Sequence, residues 1–263
     1  MAAEDRTALV TGAASGIGRA ITQRLVRDGF LVVAADIDTA RLADLASELG
    51  DRVATVHCDV TAEDSVASAV ATASEHGALH VVVANAGAGG FSPIVEHPLD
   101  QWKAVIDLCV TGVFLTVKHG AMAISDGGSI ITIASLNATQ PAAGMSAYCT
   151  AKAGVVMFTK VAAMELGQRG IRVNAIAPGL VETPATSTFW SVPGVVDEFV
   201  ENTTLGRYGH PDDVAAVASF LAGDESRFVS GAVLAVDGGA ATKRYPDLPS
   251  AIARFLAASA PAE

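Results

Sequence analysis

Short apolar runs alternate with longer amphipathic segments along most of the chain. A continuously apolar run predicts a strand that is buried on both faces, because such a strand presents no side to water. A segment whose apolar residues recur every three or four positions predicts a helix with one buried face. The predicted strands span residues 7–10, 31–35, 53–56, 81–84, 130–133, 172–176 and 233–236.

The predicted helices fall between these strands. They span residues 16–28, 39–49, 62–76, 100–123, 146–167 and 212–222. Strands that alternate with helices pair in parallel, since each helix carries the chain back along the sheet. We therefore predict an α/β fold, a doubly wound parallel sheet of about seven strands with helices on both faces. A single domain over residues 1–263 accounts for the whole pattern.

The composition fits a globular protein and narrows its partners. Hydrophobic residues make up 51% of the chain and charged residues 17%, which excludes a disordered chain. The net charge of −11 argues against nucleic acid or an anionic membrane as a partner. No uninterrupted apolar run reaches the length of a membrane span, about 18 residues.

The N-terminus and the cysteines indicate a compartment. Residues 1–6 lack the basic region followed by an apolar region that a signal peptide requires. Cys58, Cys109 and Cys149 are odd in number and form no Cys-x-x-Cys pair, so we interpret them as thiols of a reducing compartment. We expect a cytoplasmic protein.

A glycine-rich turn joins the first predicted strand to the first predicted helix. Gly12 permits the tight turn, Gly16 lets the backbone approach a pyrophosphate, and Gly18 allows close packing of helix on sheet. Asp36 ends the second strand, where a carboxylate receives ribose hydroxyls. Asp36 would also repel a 2′-phosphate, and neither Ser15 nor Ile37 supplies a compensating cation. The turn therefore predicts a site for NAD rather than NADP.

A second candidate site combines Ser135, Tyr148 and Lys152. Tyr148 and Lys152 are four residues apart, so on a helix they leave the same face one turn from each other. The ammonium favours the phenolate form of the tyrosine, as general acid–base chemistry requires. Ser135 follows the apolar run 130–133, which places its hydroxyl at the carboxyl end of a strand. The Tyr–Lys spacing alone also occurs by chance on unrelated helices.

Taken together, these motifs resemble the short-chain dehydrogenase/reductase family, whose members have a Rossmann-like fold. The match runs in order from Thr11 through the Asp237, Gly238 and Gly239 turn. The resemblance implies Ser135, Tyr148 and Lys152 as the catalytic residues and no metal. It implies a cofactor site formed by Gly12, Ser15, Gly16, Ile17, Gly18, Asp36, Asp59, Val60, Asn85, Ala86, Gly87, Tyr148, Lys152, Pro178, Gly179, Val181 and Thr183.

The resemblance also implies an activity and an assembly. Family members transfer a hydride between a nicotinamide cofactor and an alcohol or ketone, with the tyrosine as general acid–base. The lysine supports the tyrosine and holds the nicotinamide ribose, and the serine hydrogen-bonds the substrate oxygen. Relatives form symmetric homotetramers through two long helices, here about 100–123 and 146–167, and through the final strand.

Cys109 departs from the family pattern. Relatives usually carry asparagine at this position, where it helps a water connect the lysine to solvent. A thiol is a poor hydrogen-bond partner by comparison. Two interpretations follow, an enzyme with an altered proton relay or an NAD-binding regulator with impaired catalysis. We favour the enzyme because Ser135, Tyr148 and Lys152 are all present.

Substrate contacts are the least determined part of the sequence. Residues 185–205 correspond to the substrate loop of relatives, and its Phe189 and Trp190 either line an apolar pocket or fill the core of the loop. Asn137 and Gln140 follow Ser135 and offer polar contacts. We expect a secondary alcohol or ketone with an apolar body. A 3-oxoacyl-carrier-protein reductase remains an alternative, although such enzymes commonly use NADPH.

The tail, residues 240–263, continues past the point where many relatives end. Ile252, Phe255 and Leu256 fall on one helical face, and Ser250 is a candidate N-cap. A helix this short is not stable alone. We expect it to pack at a subunit interface or over the substrate pocket.

Overall fold

Seven strands form one parallel sheet in the order β3-β2-β1-β4-β5-β6-β7 in the computed structural model, which describes residues 6–259. The predicted fold class and all predicted strands are confirmed. The strands are β1 Thr7–Thr11, β2 Leu31–Asp36, β3 Val53–His57, β4 Leu79–Ala84, β5 Ser129–Ile133, β6 Arg172–Pro178 and β7 Val233–Val236. The N-terminal segment, where the sequence predicts no signal peptide, and the last four residues of the tail lie outside the described residues.

Helices cover both faces of the sheet. They are α1 Gly16–Arg27, α2 Thr39–Leu49, α3 Glu63–Glu75, α4 Leu99–Ile106, α5 Gly112–Ala123, α6 Ser146–Leu166, α7 Ser187–Trp190, α8 Val195–Glu201, α9 Pro211–Ala222 and α10 Leu248–Ser259. One core lies under α1 and α9, and a second lies under α3, α5 and α6. Burial on both faces explains why the strands are continuously apolar.

The strand order reverses between β1 and β4, and polar side chains hold this point together. Asn85, just after β4, donates from Nδ2 to the carbonyls of Thr11 and Gly12 at 2.9 and 3.1 Å. The backbone N–H of Asn85 also donates to Oγ1 of Thr11 at 3.1 Å. In doubly wound sheets, ligands bind in the crevice that opens at such a reversal.

The predicted helix 100–123 is one continuous helix, Leu99–Ala123, with a π-helical turn at Asp107–Thr111. By length and composition alone it is apolar enough to cross a membrane, although no uninterrupted apolar run in the sequence is that long. Its buried residues Val113, Leu115 and Val117 belong to the core beneath the sheet. The π turn contains Cys109, which it directs into the protein.

The tail folds back onto the substrate loop of its own chain. Leu248 and Ala251 of α10 are buried against Val195 and Phe199 of α8. The carboxylate of Glu198 accepts hydrogen bonds from Arg244 and from the backbone N–H of Asp247, just before α10. The helix therefore docks within one chain, whereas Leu256 of the predicted apolar face is 62% exposed.

One boundary in the tail differs from the prediction. Ser250 is not the N-cap of α10, because the helix begins at Leu248. Asp247 fills that role, since its Oδ1 accepts the backbone N–H of Ser250 at 3.2 Å. A carboxylate at this position also interacts favourably with the helix dipole.

Candidate functional site

A cavity of about 510 Å³ opens over the carboxyl ends of β1, β4, β5 and β6. Its size is typical of a small-molecule or cofactor site. All seventeen residues predicted for the cofactor line it, as does Ser135. The topology therefore brings motifs from almost the whole chain to one place.

The glycine-rich turn is shaped by close approaches that only glycine tolerates. Gly12 and Gly16 have φ angles of +64° and +52°, a region that other residues rarely adopt. A Cβ atom on Gly18 would lie 2.0 Å from the carbonyl oxygen of Gly12. The turn and the start of α1 consequently present backbone N–H groups to the cavity.

Asp36 is held in place at the end of β2. Its Oδ2 accepts the backbone N–H of Ala14 at 3.0 Å, and its Oδ1 accepts that of Asp38 at 2.9 Å. Ile37 beside it is 66% exposed. Among the described residues that line the cavity, Lys152 is the one basic side chain, and it belongs to a different part of the wall. The Asp36 end of the cavity is thus acidic.

Asp59 and Cys58 follow β3 and line the same end of the cavity. Hydrogen bonds from the side chain and backbone of Thr61 lower the pKa of Asp59. Burial raises the pKa of the Cys58 thiol to about 11, so this cysteine stays protonated and is a poor nucleophile.

Lys152 and Tyr148 leave the same face of α6, as predicted. The Nζ atom of Lys152 lies 5.5 Å from the centre of the Tyr148 ring and donates to the carbonyl of Ile133 at 2.7 Å. Lys152 is only 3% exposed, so its ammonium is largely removed from water.

Ser135 follows β5 and faces the same space. Its Oγ accepts the backbone N–H of Asn137 at 3.1 Å. Because that bond uses a lone pair, the hydroxyl hydrogen is still available to a ligand. Ser135, Tyr148 and Lys152 together offer a hydroxyl donor, a phenol and an ammonium around one cavity.

The Cys109 thiol makes a hydrogen bond to the loop that follows β4. Its Sγ donates to the carbonyl of Ala88 at 3.2 Å. Gly87 separates it from the lysine, because a Cβ atom added to Gly87 would lie 3.3 Å from Nζ of Lys152 and 3.4 Å from Sγ of Cys109. The thiol therefore fixes the loop after β4 close to the ammonium.

The other end of the cavity is apolar and is built by the loop and the tail. Phe189 and Phe199 contact each other with ring centres 5.7 Å apart, and Phe199 contacts Tyr245 at 5.9 Å. All three line the cavity, as do Asn137 and Met145. Other apolar residues of the loop fill its own core, so both predicted interpretations of the loop hold for different residues.

Two residues predicted to contact the substrate do not line the cavity. Gln140 does not line the cavity, because its Nε2 donates to the carbonyls of Ala240 and Lys243 at 3.2 and 2.7 Å and anchors the tail. Trp190 also lies outside, since its ring packs edge-on against Tyr208 with centres 5.6 Å apart.

Tyr245 is the main site residue that sequence reasoning missed. No motif surrounds it, and it reaches the cavity only because the tail folds back about a hundred positions along the chain from Asn137, whose Oδ1 accepts the Tyr245 hydroxyl at 3.4 Å. The sequence shows an apolar helix after a short polar linker, which predicts that the tail docks on the protein. It does not predict which residue of the tail reaches the cavity.

Comparison with known proteins agrees with this geometry. The family model described as "Enoyl-(Acyl carrier protein) reductase" matches residues 12–241. A cis-4-hydroxycyclohexanecarboxylate dehydrogenase of Sinomonas cyclohexanicum is 40% identical over 242 residues, covering 89% of this chain and 96% of the relative. A 3-alpha-(or 20-beta)-hydroxysteroid dehydrogenase of Mycobacterium tuberculosis is 38% identical over 237 residues, covering 89% and 88%.

Solved structures give the same result. A short-chain type dehydrogenase/reductase from Mycobacterium ulcerans superposes with a TM-score of 0.90 at 35% identity, covering 94% of each chain. The sequence match, the sheet order and the arrangement of the cavity residues are thus consistent with one another. The chain belongs to the short-chain dehydrogenase/reductase family, whose members are oxidoreductases.

Proposed function

We propose that this protein is an NAD-dependent oxidoreductase that interconverts a secondary alcohol and a ketone carried on an apolar, ring-containing body. The observation that carries the proposal is that Ser135, Tyr148 and Lys152 line the same cavity as the glycine-rich turn. Relatives named for hydroxy-acid and hydroxysteroid oxidation support the same reaction class.

The cavity residues fit a nicotinamide dinucleotide. Gly12 and Gly16, with φ angles of +64° and +52°, leave the backbone at the start of α1 uncovered by side chains where a pyrophosphate would bind. Asp36 offers lone pairs to ribose hydroxyls, and Asp59 and Val60 border the same region. At the opposite end, Pro178 to Thr183 would hold the nicotinamide half. Bound there, the cofactor supplies or accepts the hydride.

The charge of the adenosine end supports NAD over NADP. A 2′-phosphate would approach the Asp36 carboxylate, which two backbone N–H groups hold in position. Arg19 and Arg41 do not line the cavity, and each forms an exposed ion pair, with Glu48 and Asp38, respectively. No basic side chain among the described lining residues at this end therefore offsets the repulsion between the carboxylate and a 2′-phosphate.

The chain's own residues handle the proton. Ser135 donates its free hydroxyl hydrogen to the substrate oxygen, and Tyr148 gives a proton to that oxygen or removes one from it. The Lys152 ammonium stabilises the phenolate that forms when Tyr148 has given up its proton. Ile133 fixes the ammonium through its carbonyl, so the charge needs no reorganisation during the reaction.

Carrier-protein-linked 3-oxoacyl reduction is a second candidate, favoured by a relative that is named for this reaction and is 37% identical over 246 residues. Asp36 opposes it to the extent that such enzymes use NADPH. An NAD-binding regulator that has lost catalysis is a third interpretation, which rests on Cys109. The contact of Cys109 with Ala88 supports an intact site instead.

An assay of NADH absorbance tests these possibilities. Ring-containing ketones, such as 4-methylcyclohexanone, and a 3-oxoacyl thioester are supplied with NADH and with NADPH. We expect reduction of the cyclic ketones with NADH. Tight NADH binding without turnover of any ketone would support the regulator, and preferential thioester reduction with NADPH would support the carrier-protein enzyme.

We also propose a homotetramer. Apolar side chains are exposed on the outer faces of α5 and α6, including Phe114, Met122, Met157 and Met164. Exposed apolar patches of this kind mark interaction surfaces, and the same two helices form the tetramer of relatives. Analytical ultracentrifugation of the wild type and of Met157→Glu tests the proposal: the wild type should sediment as a tetramer and the variant as a smaller species.

A further inference from the structure

The phenol of Tyr245 lies at the apolar end of the cavity and has no role in the chemistry proposed above. Its ring packs edge-on against Phe199. Burial raises the pKa of Tyr245 to about 12, so the side chain stays protonated at neutral pH. Tyr245 is therefore a hydrogen-bond donor and not a second general base.

The partners of this phenol are distant. Its oxygen lies 3.4 Å from Oδ1 of Asn137 and 4.0 Å from Sδ of Met145. Good O–H···O hydrogen bonds are about 2.7–2.8 Å long. Because the hydroxyl faces the cavity and makes only long contacts with the protein, its hydrogen is available to a closer acceptor.

Asn137 is oriented so that its amide oxygen faces Tyr245. Its Nδ2 donates to the carbonyl of Gln140 at 3.1 Å, and its backbone N–H donates to Ser135. Gln140 in turn holds the backbone at Ala240 and Lys243, just before Tyr245. The segment after Ser135 and the tail are thus fastened to each other next to the phenol.

We propose that Tyr245 and Asn137 form a polar subsite that binds a second, neutral oxygen of the substrate while Ser135 and Tyr148 hold the reacting oxygen. A hydroxyl placed between them accepts from Tyr245 and donates to Oδ1 of Asn137. A carboxylate is disfavoured, because Lys152 is the one basic side chain among the described lining residues and it is bonded to Ile133.

The geometry limits the size of the substrate. Ser135 and Tyr245 are linked through Asn137 by contacts of 3.1 and 3.4 Å. With the length of one asparagine between them, their oxygens are at most roughly 10 Å apart. The substrate is consequently a body of one or two rings with oxygens on opposite sides. This inference rests on the proposed oxidoreductase function.

The test compares two ketones of nearly equal shape, 4-hydroxycyclohexanone and 4-methylcyclohexanone. Tyr245→Phe removes the hydroxyl and keeps the ring against Phe199. We expect kcat/KM for the hydroxyketone to fall at least tenfold in this variant, while kcat/KM for the methylketone changes less than twofold. Tyr208→Phe, which removes a phenol outside the cavity, should change neither value.

Calorimetry gives a second readout that does not need turnover. The measurement uses a Tyr148→Phe background with NADH bound. Adding Tyr245→Phe should weaken the binding of the hydroxyketone at least tenfold and leave the binding of the methylketone unchanged. If the wild type reduces neither ketone but this difference in affinity is present, the proposed reaction fails and the subsite stands. Equal losses for both ketones, or no loss for the hydroxyketone in kinetics and binding, would overturn the subsite.

Discussion

Lys152 donates from its buried Nζ atom to the backbone carbonyl of Ile133 at 2.7 Å, at the end of the strand that precedes Ser135. The ammonium is thereby tied to the sheet and not only to its own helix. Since Tyr148 is one turn away, the position of the charge relative to the phenol is set by the packing of α6 on β5 and β6.

Replacing Lys152 with methionine tests this relationship. The variant keeps a long side chain but loses the charge and the bond to Ile133. We expect kcat to fall at least a hundredfold, in line with general acid–base contributions of about 10²–10⁴, and NADH to bind more weakly. Lys160→Met, on the exposed part of the same helix, is the matched control. If kcat falls to a similar extent in both variants, the loss comes from removing positive charge from the helix and not from the position of Lys152.

Cofactor choice depends on Asp36. Asp36→Ala combined with Ile37→Arg removes a carboxylate and adds a guanidinium beside the ribose position. We expect the ratio of dissociation constants for NADP and NAD to shift toward NADP by one to two orders of magnitude, or a few kcal/mol at most. Fluorescence titration of both cofactors on both proteins measures the ratio. A wild type that already prefers NADPH contradicts the role given to Asp36.

Cys109 provides a test of the loop after β4. Asparagine can also donate to the carbonyl of Ala88, so Cys109→Asn should keep kcat within about threefold, whereas Cys109→Ala loses the donor and leaves a cavity. We expect the alanine variant to have the lower kcat and a lower melting temperature. The pH profile of kcat is compared for all three proteins. A folded but inactive asparagine variant would show that the site depends on the thiol.

Stability should respond to pH through Asp213 at the start of α9. Hydrogen bonds from Arg207 lower the pKa of Asp213 to about 2, and its Oδ2 also accepts the backbone N–H of His210. A depressed pKa in the folded state stabilises the protein above the unfolded value near 4, and this contribution disappears as the pH falls toward 2.

Asp213→Ala should therefore lower the free energy of unfolding at pH 7 by about 1 kcal/mol, a value reduced by solvent screening of the pair. The difference from wild type should shrink between pH 5 and pH 2. Urea titrations across this range measure it. Asp212→Ala, on the exposed first turn of the same helix, serves as the control. A difference that grows as the pH falls would contradict the assignment.

The sequence was sufficient to predict those parts of the fold and site that depend on local backbone geometry. Gly12, Gly16 and Gly18 are required by backbone angles and close contacts, so their spacing alone indicates the turn. Tyr148 and Lys152 are adjacent through helix periodicity. The strands are continuously apolar because both faces of the sheet are covered, which made the sheet predictable.

The sequence was insufficient to predict the position of a side chain that depends on how distant segments of the chain pack together. Gln140 looks like a substrate contact from its place after Ser135, but its amide donates hydrogen bonds to the backbone of the tail. Trp190 fits an apolar pocket equally well, yet it packs on Tyr208 outside it. Tyr245 enters the cavity through a fold-back of the tail whose register no local pattern specifies.

Turnover by Tyr148→Phe tests the central claim most directly. The variant loses one hydroxyl on α6 and keeps Lys152 and the glycine-rich turn. Initial rates with 4-methylcyclohexanone and NADH are measured alongside the dissociation constant for NADH. The account predicts a loss of at least a hundredfold in kcat with NADH affinity within about twofold of wild type. Residual activity above about a tenth of wild type, with the protein folded and NADH bound, would contradict it.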